Sequence, residues 1–512
     1  MVGDVRAEVV VVGGGPVGLL LACELAGYGV RTVVVEERQG VSKRPKATTM
    51  HARAVQCLVR RGYLGGFAGV GAPAGSGPVS GGFHFAGMPG LVISVPAGEP
   101  VPVMKCPQEE LERHFEERAR AAGVVVLRGH RVSGVRQGLD GARVTAVGPR
   151  GQVECVSPYV VGADGARSVV RELAGFDSWT YPATVSAMAG DVRLEEAGAL
   201  EAGWHRTARG WLVVKDVTAG GGVRLRTLNC EGASGVRDVP LTLQELRREV
   251  SWIAGREIGM GAPQWLSRFS DFSRLVGSYR KERILLAGDA AHVHFPIGGQ
   301  GLSTGVLDAL NLGWKLAFTV RGVAGAGLLD TYDQERRPAA QRVIDHTRAQ
   351  LALMRPDAEL DPLRAVFGEL LANGPEGGVL ASMVSGQDTV LPARGADSSP
   401  LEGSFLRNVA LTTEEGRTDV IGLLSEGRPL LLLFGDETGA CAGGYEEQAR
   451  AWAGVLRVVR AEPVAGVVCE AMLVRPDGYV GWAAGGGELG SALGALFGEG
   501  GVVHGRSVGA VR

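Results

Sequence analysis

The sequence predicts an α/β protein of more than one domain. A sheet of short buried parallel strands is interrupted by an antiparallel sheet and followed by a small separate α/β module. Three observations carry that reading. Short β-branched or apolar runs at 8–12, 31–36, 159–162 and 284–288 have the continuous apolar character of strands buried on both faces. Residues 178–280 instead alternate apolar and polar positions between frequent turns, as a mostly antiparallel sheet does. The 512 residues also exceed the size at which one hydrophobic core stops growing.

In chain order, the run EVVVV at 8–12 predicts a strand, a glycine turn follows, and good helix formers predict a helix over about 17–28. A second buried strand at 31–36 completes a βαβ unit. From 72 to 102 the composition shifts to Gly, Pro and Ser, which reads as irregular structure or edge strands. Residues 108–122 form an amphipathic helix with Leu111, Phe115 and Ala119 on one stripe. Strands are expected at 124–127, 143–147 and 159–162, and long helices over about 301–320 and 331–350. Residues 370–400 read as a linker on their Gly, Pro and Ser content. Strand patterns at 429–434, 455–459, 471–475 and 480–482 follow it.

Composition narrows the function classes. Lys+Arg 53 against Asp+Glu 55 gives a net charge of −2, so no basic field for nucleic acid or an anionic membrane is visible. Only six of those cations are Lys, at 43, 46, 105, 215, 281 and 315. Eighty glycines are more than twice the usual share of about 7%, yet no collagen period runs through them, and the mean hydropathy of +0.10 is that of a globular chain. The seven cysteines are scattered and never in C-x-x-C, which points to a reducing cytoplasm rather than a disulfide framework or zinc site. The most apolar stretch, 9–26, is broken by a glycine turn and Glu24, so neither a membrane span nor a leader is expected.

Three clusters carry chemistry. In the first, Gly13, Gly15 and Gly18 fit G-x-G-x-x-G directly after a strand and at the start of a helix. There they allow a tight turn, close backbone approach to a pyrophosphate, and close helix–strand packing. Glu36, at the end of the next strand, is placed to accept from a ribose hydroxyl. In the second, a buried strand ends in Gly288-Asp289, and a Gly/Pro loop through Pro296 leads to Gly301, Leu302 and Ser303 at a helix start. An acid there suits a polyol hydroxyl, and helix-start N–H groups suit an electron-rich carbonyl edge. In the third, a strand, the turn Ala163-Asp164-Gly165 and a helix follow one another. His292 and His294 stand as H-x-H without nearby ligands and read as structural, so no metal is expected. Trp204, His205, Arg206 and Trp211 read as core or surface.

In order and separation, these clusters resemble those of the FAD-dependent aromatic hydroxylases, the class A flavoprotein monooxygenases with the p-hydroxybenzoate hydroxylase fold. More narrowly they resemble the branch acting on aromatic polyketides and rifamycins. The resemblance extends to Trp265–Phe269, to Tyr332-Asp-Gln-Glu335-Arg336-Arg337-Pro338, and to Leu473-Val-Arg-Pro-Asp477-Gly. It implies a Rossmann-like FAD-binding domain (1–72, 103–177 and 267–350) with an inserted antiparallel β-sheet substrate domain (73–102 and 178–266). A helical or linker segment (351–397) and a C-terminal thioredoxin-like domain (398–512) would follow.

By the same resemblance Gly13, Gly15, Val17 and Gly18 would hold the FAD pyrophosphate, Glu36 the ribose, and Lys46 the flavin phosphates where an Arg is usual. Gln108 would meet the ribityl or phosphate region and Asp289 the ribityl/pyrophosphate portion, with Pro296 in the adjoining loop. Gly301, Leu302 and Ser303 would present N–H donors to the flavin pyrimidine edge, Ser303 standing where Asn is usual. Asp164 would serve FAD and the passing nicotinamide. The implied reaction uses NADPH or NADH and O₂ to hydroxylate a polycyclic aromatic through a C4a-hydroperoxyflavin, with no catalytic nucleophile from the protein. Baeyer–Villiger oxygenation of a polyketide ketone and a redox-inactive flavin scaffold are the alternatives. With no C-x-x-C, the C-terminal module is expected to be structural or to support a homodimer.

Overall fold

The computed structural model describes residues 3–499 except 45, 68, 72–76, 218–221, 234–238, 374–375, 436–439, 465 and 468; the side chains of 373, 376, 377 and 440–443 are also outside the description. Among the cysteines, the side chain of Cys441 lies outside the described residues. Cys23, Cys57, Cys106, Cys155, Cys230 and Cys469 are free thiols.

β1 (Val9–Val12) is buried along its whole length, as a strand covered on both faces must be. It enters α1 (Pro16–Gly27), which Pro16 starts without a lost hydrogen bond, and the chain returns as β2 (Thr32–Glu36). α2 (Ala52–Arg60) follows. Residues 72–102, expected to be irregular or edge strands, contain a hairpin of Val79–Phe85 against Met88–Val95. α3 (Gln108–Ala121) buries Leu111, Phe115 and Ala119, the stripe its sequence displays. β3 (Val125–Arg128), β4 (Tyr159–Gly162) and the short α4 (Val169–Leu173) complete the first half.

An antiparallel sheet then intervenes: β5 (Ser186–Leu194), β6 (Gly203–Thr207), β7 (Gly210–Val217), β8 (Gly222–Asn229) and β9 (Met260–Ser270). Its strand order is β6-β7-β8-β5-β9. One face is covered by α5 (Leu243–Ala254), whose Leu246, Val250 and Ile253 pack with Leu212, Val214 and Leu225 of the sheet. The opposite face carries Trp211 and Leu228, which join a core with Phe85, Leu91 and Phe295. β10 (Ile284–Leu286) returns the chain to the first sheet, whose order is β10-β4-β1-β2-β3 with Arg280–Lys281 at the edge; all five numbered strands are parallel.

α6 (Gly301–Val320) and α7 (Thr331–Met354) follow. α6 lies tightly on α1 because two of its residues lack side chains. A methyl on Gly305 would stand 2.7 Å from Val17 Cγ2, and one on Gly313 2.6 Å from Glu24 Cβ. The 370–400 stretch is not all linker: the helix Glu376–Ser385 begins within it, and Ala381 and Val384 pack into the core under the 79–95 hairpin. Composition misled there because the helix is held by tertiary packing rather than by propensity. The C-terminal sheet comprises β11 (Ala410–Thr413), β12 (Gly416–Asp419), β13 (Leu430–Phe434), β14 (Arg457–Ala461), β15 (Ala471–Val474) and β16 (Val480–Ala483), ordered β12-β11-β14-β13-β15-β16.

The C-terminal part is joined to α6 and α7 by buried charges. Glu335 accepts from Lys315 Nζ at 2.7 Å and from both Arg475 Nη atoms at 2.8 Å. Asp477 accepts from Arg475 Nη2 at 2.6 Å and Trp314 Nε1 at 3.2 Å, while Asn311 Nδ2 donates to both acids. Burial, with Arg475 nearby, pushes the Lys315 ammonium down to about 8 against the pull of Glu335 and Asp477. Removing one member leaves the others charged, dry and unpaired, which costs far more than the intact cluster contributes. Glu335→Gln is therefore expected to lower stability by about 3–5 kcal/mol in urea unfolding. A loss under about 1 kcal/mol would show that water reaches the cluster.

Candidate cofactor site

The glycine turn is built for a ligand at one position and for the fold at two others. A methyl on Gly13 would meet the Ala163 carbonyl oxygen at 2.3 Å, and Gly13 adopts φ +110°, so only glycine fits. A methyl on Gly18 would meet the Gly13 oxygen at 2.1 Å. Gly15 differs: nothing lies within 4 Å of its Cβ direction, and its φ of −81° suits any residue. The space above Gly15 is thus open beside the start of α1, where no side chain caps the helix and no acid stands in the first turn. Unpartnered N–H groups and the positive helix end face that space, the arrangement a pyrophosphate requires. Val17 serves packing, beneath Gly288 and Gly305.

Glu36 closes one side. Its carboxylate accepts from the Gly14 N–H at 2.6 Å and the Arg38 N–H at 2.9 Å, which fixes it at the end of β2 beside the turn. Lys46 shares this neighbourhood. Partial desolvation and the Arg38 guanidinium hold its ammonium below its ordinary range, against the opposing pull of Glu112, Asp289 and Glu36. The backbone N–H of Gln108 donates to the Ala47 oxygen at 3.0 Å, tying the start of α3 to the loop that carries Lys46. Asp289 is exposed on the turn Gly288–Ala290 after β10. Asp164 is placed differently. Its carboxylate is engaged by Ser168 Oγ at 2.5 Å and by the Val169 and Val170 N–H groups at 2.7 and 3.1 Å, so it caps α4. Next to it, Gly165 leaves open space at φ +84°.

The second helix start lies beside the first, with Val17 of α1 standing against Gly305 one turn into α6. Gly301, Leu302 and Ser303 open α6, which has no side-chain cap and no acid in its first turn. Pro296 is exposed in the loop before it. The Ser303 hydroxyl accepts from the His51 N–H at 3.0 Å, so it anchors the start of α2 and leaves its backbone for a ligand. His51 is fully buried and meets the Gly298 oxygen through Nε2 at 2.7 Å, while its Nδ1 has no partner. That geometry fixes a neutral imidazole with Nε2–H donating. Burial pushes His51 down to about 4, only partly offset by the Gly298 contact, and His294 is likewise pushed to about 4 by burial and by His292. His292 and His294 point to different partners: His292 Nε2 meets Asp308 at 2.8 Å, and His294 Nδ1 meets the Phe295 oxygen at 3.0 Å. Among the described residues no group of three His, Cys, Asp or Glu could hold a metal ion.

His51 escaped the sequence reading because no motif surrounds it; its partners Gly298 and Ser303 lie far along the chain. Asp308 stands in the helix that continues the second cluster, and its role is a framework one. It accepts from the Gly288 N–H at 3.0 Å, His292 and Arg336 Nε at 2.8 Å, and so holds the loop from below. Trp211 is core, its Nε1 donating to the Met354 oxygen at 2.6 Å. Trp204 borders the cleft, its ring 4.5 Å from His84. His205 and Arg206 engage the Glu201 oxygen and Asp361 away from it.

An open pyrophosphate space, an acid at the ribose end and an uncapped helix start for a carbonyl edge match the parts of FAD. Residues 6–347 match the FAD binding domain family, and residues 399–500 match the aromatic-ring hydroxylase C-terminal family. This chain belongs to the FAD-dependent aromatic-ring hydroxylases. It is an FAD-dependent monooxygenase. It is 36% identical over 497 residues to the 12-dehydrotetracycline 5-monooxygenase/anhydrotetracycline 6-monooxygenase of Streptomyces rimosus, covering 94% of this chain and 95% of that one. It is 38% identical over 492 residues to the dialkyldecalin synthase of Streptomyces rugosporus, covering 96% and 98%. The crystal structure of CabE, an aromatic hydroxylase from angucycline biosynthesis, superposes with a TM-score of 0.86 at 35% identity, over 96% of this chain and 99% of that one.

Two outcomes follow for this hydroxylase. Gly15→Val is expected to fold with a melting temperature close to the parent apoprotein yet lose most of its bound flavin, read by absorbance after reconstitution. Gly18→Val should instead lower the melting temperature itself, since it strikes backbone. Acid should also weaken the fold. An imidazole titrating near 6.5 when unfolded but near 4 when buried takes up its proton in the unfolded chain first, so stability falls as pH drops from 6.5 to about 4. His51 alone accounts for about 3 kcal/mol over that window. Urea titrations across that range should show a shallower fall for His51→Gln than for the parent.

Proposed function

We propose that this hydroxylase uses NAD(P)H and O₂ to place one hydroxyl on a polycyclic aromatic, polyketide-type substrate. The balance is NAD(P)H, a proton, O₂ and an aromatic C–H giving NAD(P)⁺, water and the phenol. The observation that carries the reading is the aromatic wall opposite the start of α6. Phe269 of β9 stacks on Phe295 of the flavin loop with centroids 5.8 Å apart, while Phe83, His84 and Trp204 continue the wall beyond His51. Such a surface suits fused rings better than a single small ring. The relatives named for tetracycline and angucycline compounds support the same substrate class.

FAD fits the cleft through Gly15 and the start of α1 at its pyrophosphate, Glu36 and Lys46 at its adenosine and phosphate side, and Asp289 and the start of α6 at its ribityl and ring portions. When bound it supplies hydride acceptance and oxygen activation. The chain's own part is positional. N–H groups at Gly301–Ser303 stabilise negative charge on the carbonyl edge. His51, neutral and fixed by Gly298 and Ser303, holds that loop without adding a charge. The aromatic wall excludes water and sets which ring edge is presented. The domain arrangement that accompanies this reading is a Rossmann-like FAD-binding body at 1–72, 103–177 and 267–350, a substrate sheet at 73–102 and 178–266, and a thioredoxin-like module from 398.

Purified yellow holoenzyme should oxidise NADPH or NADH faster when a polycyclic aromatic polyketide is added, and NMR of the product should show a new phenol with the ring system intact. Ring expansion would instead show Baeyer–Villiger oxygenation. Trp204→Ala should raise KM by about tenfold with little change in flavin content. The identity to a dialkyldecalin synthase favours one second reading, in which flavin is a structural wall of a substrate-shaping pocket. Holoenzyme showing no stimulated oxidation across a polyketide panel would select it.

A further inference from the structure

The cleft-facing side of the antiparallel sheet is more cationic than its neighbourhood can neutralise. Along β7 and β8 the pairs Trp211–Leu228, Val213–Arg226 and Lys215–Arg224 lie on one face, the face that packs toward the flavin loop. Arg224 is satisfied, donating to both Asp191 oxygens at 2.6 and 2.7 Å. Arg226 and Lys215 differ. Both are accessible, and among the described residues neither makes an ion pair or side-chain hydrogen bond. Asp191, the acid on this face nearest Arg226, is already held by its neighbour.

Lys105 meets this face from across the cleft. Its ammonium donates to Thr49 Oγ1 at 3.0 Å and stands 5.2 Å from the Phe83 ring. Thr49 lies against the flavin loop, since a methyl on Gly299 would be 3.3 Å from Thr49 Cβ. Burial and the charge of Lys215 both hold Lys105 below its ordinary range, and no carboxylate offsets them. Two of the six lysines in the chain thus share one electrostatic neighbourhood without a counterion. Cations gathered in a partly dry cleft are costly unless an anion joins them.

We propose that this rim selects an anionic substrate: a polycyclic aromatic carrying a carboxylate or an ionised acidic phenol or enolate. Its charged oxygen is gripped by Lys105, Lys215 and Arg226 while its rings lie against Phe83, His84 and Trp204. The inference rests on the polycyclic reading of the cleft and adds the charge to it. A neutral substrate would leave three cations unpaired, whereas an ionised oxygen gains charge-assisted hydrogen bonds.

The test is equilibrium binding to the holoenzyme, read by quenching of flavin fluorescence, with an anthraquinone carboxylate and its neutral carboxamide as paired ligands. The carboxylate is expected to bind about tenfold more tightly at low ionic strength, with the ratio shrinking as salt is added. In the variant carrying both Lys105→Gln and Lys215→Gln the ratio should fall to about one, and Arg226→Gln should lower it in the same direction. Flavin content and melting temperature show that each variant is folded. Equal affinity of the two ligands in the parent, or a ratio unchanged in the double variant, overturns the anionic rim and leaves the polycyclic reading standing. Binding of neither ligand overturns both.

Discussion

Lys315, Glu335, Arg475 and Asp477 neutralise one another in the dry region where the C-terminal sheet meets α6 and α7. The cluster is a constraint more than a source of stability, because desolvating four charges consumes most of what their attraction returns. It dictates geometry instead. Each charge is satisfied only when α6, α7 and the 475–477 turn hold one relative position. α6 is the helix that opens at Gly301, so the C-terminal part of the chain holds that helix start from behind.

The same helix is fixed on its other side by absence. Gly305 and Gly313 let α1 approach until Val17 and Glu24 fill their places, which brings the two helix starts side by side. Below the loop between β10 and α6, Asp308 collects the Gly288 N–H, His292 and Arg336. Burial opposes its charge, but its contacts with His292 and Arg336 outweigh that and hold its carboxyl below the usual range. The Tyr332–Pro338 motif proves to be framework throughout: Tyr332 donates to the Leu286 oxygen, Asp333 accepts from the Tyr279 N–H, Glu335 joins the charge cluster and Arg336 joins Asp308. A family signature can therefore mark the scaffold that positions a cofactor rather than the groups that touch it.

The cleft divides its labour between backbone and side chains. On the proposed reading, cofactor recognition falls largely to main-chain N–H groups at two helix starts, and the serine at 303 uses its hydroxyl to anchor His51. On the same reading, the substrate-facing surface falls to side chains from the sheet and the 79–95 hairpin, where aromatic rings and cations meet. On that reading the redox chemistry resides in the flavin, and the protein's electrostatics serve orientation and exclusion of water.

By itself the sequence determined the parallel strands, the glycine turn, the acid at the end of β2 and the helix start at Gly301. Each is a local pattern whose partners lie within a few tens of residues, and apolar periodicity with glycine placement carries that information directly. Tertiary structure alone decided that Asp164 caps α4 and that His51 is locked neutral against Gly298 and Ser303. It also decided that the Gly-rich stretch after 370 begins with a helix, and that Lys105 stands within electrostatic reach of Lys215 far along the chain. Those facts depend on which side chains burial brings together from distant parts of the chain, and burial is a property of the packed molecule rather than of any segment.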